Sequence, residues 1–254
     1  MKTEKLQIRP WAVLCWLLVW QVGSMVMNAV YPYGHVLLAS PLAALVRLGE
    51  LAGTRAFWGA VAWSSFRILG GFLAACVLAV LFAACSARWR VVRELLAPLV
   101  AAVKAVPVVS FIILALVWLS ARSLPPFIAA LMVFPPVYLN VLSAISHTDR
   151  ELLEMARVFR VPFSRQLTGI YLPAVLPAFR SSVSLALGLC WKAGVAAEVI
   201  GLPNGSMGER LFHAKVYLLT EDLFAWTAVI VAVAVLFEKC FLAVMDRLAG
   251  KAGC

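Results

Sequence analysis

The sequence predicts an all-α protein that crosses a membrane several times. Of its 254 residues, 64% are hydrophobic and only 13% charged, with a mean hydropathy of +0.96. Water-soluble domains sit nearer half apolar and a quarter charged, so this chain carries more apolar surface than one soluble core can hide. The apolar residues fall in runs of about 20, the length at which a helix spans a hydrocarbon layer about 30 Å thick. Basic residues collect between alternate runs, as they do at the cytoplasmic ends of membrane spans.

The elements follow in order. Lys2, Lys5 and Arg9 precede an apolar run over 11–29. That run is long for the core of a signal peptide and no A-x-A site follows it, so it is read as a retained first span. Ser40-Pro41 opens a short amphipathic helix, with Leu42, Leu45, Val46 and Leu48 to one side, expected at the membrane surface. The second span is the uncharged run 68–87 between Arg67 and Arg88, and Arg88, Arg90 and Arg93 form a cytoplasmic turn. The third covers 96–119, with Lys104 expected to snorkel and Pro107 to kink or break the helix. After a tight turn at 121–126 the fourth reaches 145, with Pro135-Pro136 expected to interrupt it. The fifth is 176–200 and the sixth 223–245.

Six spans put both termini on one face. The side that carries the termini also receives Arg88, Arg90, Arg93, Arg150, Arg157, Arg160, Arg165, Arg180, Lys239 and Arg247; the other keeps Arg47, Arg55, Arg67, Arg122, Arg210 and Lys215. The bias makes both termini cytoplasmic. It also accounts for the formal net charge of +10 without nucleic acid, because no basic face with interleaved aromatics stands clear of an apolar run. The cysteines lie in or beside apolar runs or end the chain, with no CxxC and no Cys/His ligand spacing, so no metal site is expected. Nucleophile-elbow, HExxH and GxGxxG patterns are missing, and Asp and Glu are too few and scattered for an acid/base pair; catalytic residues are not expected.

The segment 151–177, ELLEMARVFRVPFSRQLTGIYLPAVLP, is a charged island between the fourth and fifth spans. Thr148 and Glu151 have the spacing of a capping box. Leu152, Met155, Ala156 and Phe159 then recur on one helical face, and Glu154 and Arg157 form an i,i+3 pair. Val161-Pro162 is expected to stop this helix, and a second begins at Ser164. The product is a helix–turn–helix knob facing the cytoplasm. An amphipathic helix lying on the lipid headgroups is the competing reading on amphipathicity alone.

The spacing resembles the cytoplasmic signature of permease subunits of ATP-binding-cassette importers: E-A-A, three residues, G, nine residues, I-x-L-P. Glu154, Ala156, Ile170, Leu172 and Pro173 match it, while Met155 replaces the first alanine and Arg160 the glycine. Because arginine adopts φ > 0 less cheaply than glycine, the turn is expected to be made through Val161-Pro162. LAPLVAAVKAVPVVSF (96–111), PPVYLNVLSAI (135–145) and LGLCWKAGVAAEVIG (187–201) resemble the branch with nitrate, sulfonate, taurine and bicarbonate permeases, and the likeness runs over about residues 37–242.

The resemblance implies a six-span fold of the type I importer permease, as a single transmembrane domain over 1–254. Residues 1–56 would hold the first span and surface helix, and 57–245 the core spans with a coupling segment at 148–173. It implies an inner-membrane subunit without its own nucleotide site. No GxxxxGK[ST] loop is present, so ATP and Mg would be bound by partner ATPase subunits. A substrate-binding protein outside and a second permease copy, making a homodimer, are the other implied partners. Glu154, Ala156, Arg157, Phe159, Arg160, Leu172 and Pro173 would couple to the ATPase.

Trp191, Lys192 and Glu198 are candidates for the translocation pathway. Charge inside a span costs a few kcal/mol unless paired or wetted. Lys192 and Glu198 stand about 240° apart on a helix and are not expected to pair with each other. Glu198 is read equally as a structural carboxylate or a pathway group, and Lys192 as half of an interhelical ion pair or as a contact for an anionic solute. Two other functions stay open: an ion-gradient-driven transporter or channel, which paired intramembrane carboxylates would favour, and a membrane scaffold without transport.

Overall fold

One helix, Leu124–Ser146, organises the packing, sandwiched between two longer neighbours. The computed structural model describes residues 9–251; Lys2, Lys5 and Cys254 lie outside them. Helix α1 (Pro10–Val30) starts on a proline at its first turn, where the missing N–H costs nothing. Little of it is buried within the chain. The indole of Trp20 donates to the Ala39 carbonyl (3.0 Å) and Ser24 Oγ to the Leu38 carbonyl (3.0 Å). These bonds hold α1 against the short α2 (Gly34–Leu37) and the surface helix α3 (Pro41–Ala52). Ser40 caps α3, accepting from the Ala43 N–H at 3.1 Å. Arg47 of α3 pairs with Glu50 (2.7 Å) and with Asp222 at the start of the last helix, tying the surface helix to the core. Leu42, Leu45 and Val46 face outward, as a helix lying in lipid requires.

Helix α4 (Arg55–Arg88) runs 34 residues, capped by Thr54. It starts well before the 68–87 run that the hydropathy marked, so Arg67 is interior to a helix and buried rather than flanking one. Ala75, Ala79 and Ala83 recur every fourth residue on its buried face, which lets α4 approach α7 (Leu124–Ser146) closely. At Gly71 the approach is closest: a Cβ there would stand 2.1 Å from the Pro126 carbonyl oxygen. The Tyr138 hydroxyl donates across the same interface to Ser86 Oγ at 2.9 Å.

The third apolar run is two helices, α5 (Arg90–Ala105) and α6 (Val108–Ala115), bent by 107° at Pro107. The expected break is therefore real and sharper than a kink. Pro135-Pro136, by contrast, does not interrupt α7, which continues through both prolines. Burial explains the difference: Pro135 and Val137 are packed inside, and neighbours on two sides hold the helix where its own ladder loses two bonds.

After the charged insert, α10 (Leu172–Gly201) covers the other face of α7 and ends on Leu202 in the left-handed conformation. α11 (Met207–Val216) is capped by Ser206, and α12 (Thr220–Lys251) closes the bundle. Five helices are long and apolar enough to cross a membrane, six if the bent α5–α6 pair counts as one.

Candidate functional site

The insert folds as a self-supporting knob. Helix α8 (Arg150–Val158) is capped by Asp149, whose Oδ1 accepts from the Glu151 N–H at 2.9 Å. The Thr148–Glu151 capping box does not form. Thr148 is buried and its hydroxyl donates back to the Ala144 carbonyl at 3.2 Å, finishing α7. Asp149 thus starts α8 one residue later than expected.

The turn departs from expectation too. Arg160 itself adopts φ = +50°. The Val161 N–H reaches back to the Ala156 carbonyl (2.8 Å) and the Arg160 N–H to the Arg157 carbonyl (3.1 Å), a glycine-type helix stop made by an arginine. Two local contacts hold the strained residue. Ala156 is 1% exposed beneath it, and Gln166 Nε2 donates to the Val161 carbonyl at 2.7 Å. Helix α9 (Phe163–Gln166) then passes into a wider π-turn over Leu167–Tyr171 that leads directly into α10. π-turns of this kind lose the regular ladder and are common at functional points in helices.

The knob presents Glu154, Arg157 and Arg160 to solvent, with Leu152, Met155, Val158 (77% exposed), Phe159 (75%) and Phe163 beside them. Leu172 is half exposed at the root of α10. Ala156 is buried within the knob. A cavity of about 390 Å³ lies between α8 and the turn, lined by Ala156, Arg157, Arg160, Gln166 and Tyr171 among others.

Inside the spans, Glu198 is fully buried where α4, α10 and α11 meet. Its Oε1 accepts from Arg67 Nη2 (2.9 Å); its Oε2 accepts from Ser64 Oγ (2.8 Å) and from the Gly208 N–H (3.1 Å). Ser64 Oγ accepts in turn from the Met207 N–H at 2.9 Å. The carboxylate therefore holds the N-terminus of α11 onto two spans. Gly208 is required here: a Cβ would lie 2.3 Å from the Glu198 Cβ. Arg67 stacks over Trp63, 5.5 Å from the ring centroid, and Arg122 approaches the same ring at 6.0 Å. Arg67 Nε and Nη1 are buried without a partner among the described residues. Ser64, Arg67 and Gly208 were missed in the sequence, although Thr54 as an N-cap would have extended α4 outward and taken Arg67 inside.

Trp191 is buried against α12, donating to the Ile230 carbonyl at 2.9 Å and packing on Phe237. Lys192 is exposed. Among the described residues no carboxylate lies within ion-pair distance of it, so the interhelical ion pair is not formed within this chain. The structure thus separates the three candidates: Glu198 locks helices together, Trp191 packs the core and Lys192 faces outward.

Residues 71–251 match the family described as "Binding-protein-dependent transport system inner membrane component". The chain belongs to that family. Among curated relatives, a candidate aliphatic sulfonates transport permease protein of Bacillus subtilis (strain 168) is 26% identical, covering 90% of this chain and 81% of the relative. The taurine transport system permease protein of Escherichia coli (strain K12) is 26% identical, over 83% and 78%. The riboflavin transport system permease protein of Chloroflexus aurantiacus is 27% identical, over 75% and 70%. The chain is thus a multi-pass permease component of a binding-protein-dependent transport system, and its relatives include aliphatic sulfonate, taurine and riboflavin permeases.

Proposed function

We propose that this chain is the membrane path of an ATP-driven importer that carries a small anionic solute inward by alternating access. Two copies form a homodimer in the bacterial inner membrane, with both termini and the knob in the cytoplasm. Each knob seats in a groove of an ATPase subunit that binds ATP and Mg, and a substrate-binding protein delivers the solute on the opposite face. The observation that carries this reading is the knob itself: a capped helix pair that exposes Val158, Phe159 and Phe163 beside Glu154 and two arginines. Exposed apolar area rimmed by charge marks a docking surface. The π-turn joins that surface directly to α10, so a push on the knob is delivered to a span. Support for an anionic solute comes from the sulfonate and taurine permeases among its relatives and from Lys192, which has no ion-pair partner among the described residues.

Affinity purification of the chain co-expressed with its genomic neighbours is expected to bring down an ATP-hydrolysing subunit. Glu154→Ala is expected to weaken that association by tenfold or more, as loss of a charged interface anchor does. A chain that purifies folded and alone would refute the importer reading, and unchanged association in Glu154→Ala would remove the anchor role.

A further inference from the structure

A cavity of about 470 Å³ lies between the α5–α6 break and the proline pair of α7, lined by Lys104, Met132, Pro135, Pro136, Asn140 and Leu189 among others. Its depth is fixed by two helices: Pro135 stands midway along α7 and Leu189 near the middle of α10. Lys104 is therefore near mid-membrane. A lysine reaches about 6 Å, and the headgroups lie about 15 Å away, so the expected snorkelling is out of reach. The bend at Pro107 causes this, by turning the chain aside before α5 finishes crossing.

Lys104 has no hydrogen-bond or ion-pair partner among the described residues. An ammonium at this depth is costly unless something answers its charge. The polar groups on the wall are the Asn140 amide and the backbone of Met132, whose carbonyl has Pro136 at i+4 and so receives no helical N–H. The rest of the wall is apolar. On α10, Leu185, Leu189 and Lys192 recur at helical spacing and are all exposed. Leu189 is on the cavity wall, so Lys192 stands on the same open side, about 4.5 Å further along the axis. The cavity wall thus carries one cation, Lys104, and no carboxylate, and Lys192 lies about one turn along α10 beyond the wall residue Leu189.

We propose that this cavity is a transit site for an oxyanion with a compact apolar body. Lys104 and Asn140 hold the charged head, the walls formed by Val106, Leu139 and Leu189 hold the body, and Lys192 is the next cation along the path. This rests on the permease reading and adds to it a selectivity device within the membrane, independent of any binding protein.

The test is charge-selective thiol labelling of the full chain with its six cysteines replaced by serine. Asn140→Cys is treated with 2-sulfonatoethyl methanethiosulfonate, itself an organic oxyanion, and separately with the trimethylammonium analogue. The anionic-to-cationic rate ratio at Asn140→Cys is expected to exceed that at the exposed control Val117→Cys about tenfold. Adding Lys104→Gln should collapse the ratio to the control value, and Lys104→Arg should preserve it. A ratio that ignores Lys104→Gln, or no labelling at position 140 with or without ATP, would overturn the proposal. The labelling needs only the folded chain. Failure of an ATPase to co-purify would therefore sink the permease reading while leaving the cavity result legible.

Discussion

Replacing Glu198 by glutamine removes one charge and almost no volume. The amide can still accept from Ser64 or the Gly208 N–H, but Arg67 loses the carboxylate it pairs with at 2.9 Å, the only one within ion-pair distance among the described residues. Its Nε and Nη1 are already buried without partners, so the guanidinium cannot re-pair locally. Breaking a buried ion pair from one side costs about 3–5 kcal/mol. At about 2–4 °C per kcal/mol for a chain of this size, the midpoint of thermal unfolding should fall by roughly 6–20 °C. The assay is a thermal scan in detergent, following loss of the monodisperse peak. Combining Glu198→Gln with Arg67→Met removes the stranded charge and should restore most of the loss. That double variant also separates two roles for Glu198: retained transport in a restabilised protein means the carboxylate is structural, and lost transport returns it to the pathway. A single variant as stable as the parent, or a double variant no better than the single, would refute the argument that Arg67 and Glu198 lock α4 to α10.

Two further outcomes are expected. Arg160→Gly should raise the unfolding midpoint by roughly 2–8 °C, because a left-handed non-glycine residue costs about 1–2 kcal/mol, while the β-branched Arg160→Val should lower it in the same scan. Gly71→Ala should destabilise by at least about 1–3 kcal/mol, its methyl meeting the Pro126 carbonyl at 2.1 Å. Gly188→Ala, with nothing within 4 Å of its Cβ, should be neutral or gain up to about 1 kcal/mol of helix propensity.

The helix–turn–helix knob was legible because its signals are local. A charged amphipathic stretch cannot lie in hydrocarbon, and its register of Glu154, Ala156, Ile170, Leu172 and Pro173 is a matter of spacing alone. The cap and turn were misread within it because rivals were adjacent: Asp149 beside Thr148 for the cap, and Arg160 beside Val161-Pro162 for the turn. Which one acts depends on burial of Thr148 and Ala156, and burial is set by the neighbouring helices. The same applies to the prolines. Pro107 and Pro135-Pro136 look alike in sequence, yet one breaks a helix by 107° and the other is held straight between α4 and α10.

By itself the sequence determined the solvent, the number of apolar runs and the place of the charged island, since each follows from residue chemistry summed over a short window. Tertiary structure alone decided which charges meet. Arg67 and Glu198 are 131 positions apart and Lys104 and Asn140 sit on different helices, so no window contains either pair. Packing of α4, α7 and α10 answers one buried charge with another at Glu198. The bend at Pro107 leaves a second charge, Lys104, facing a cavity with no carboxylate among the described residues to pair with.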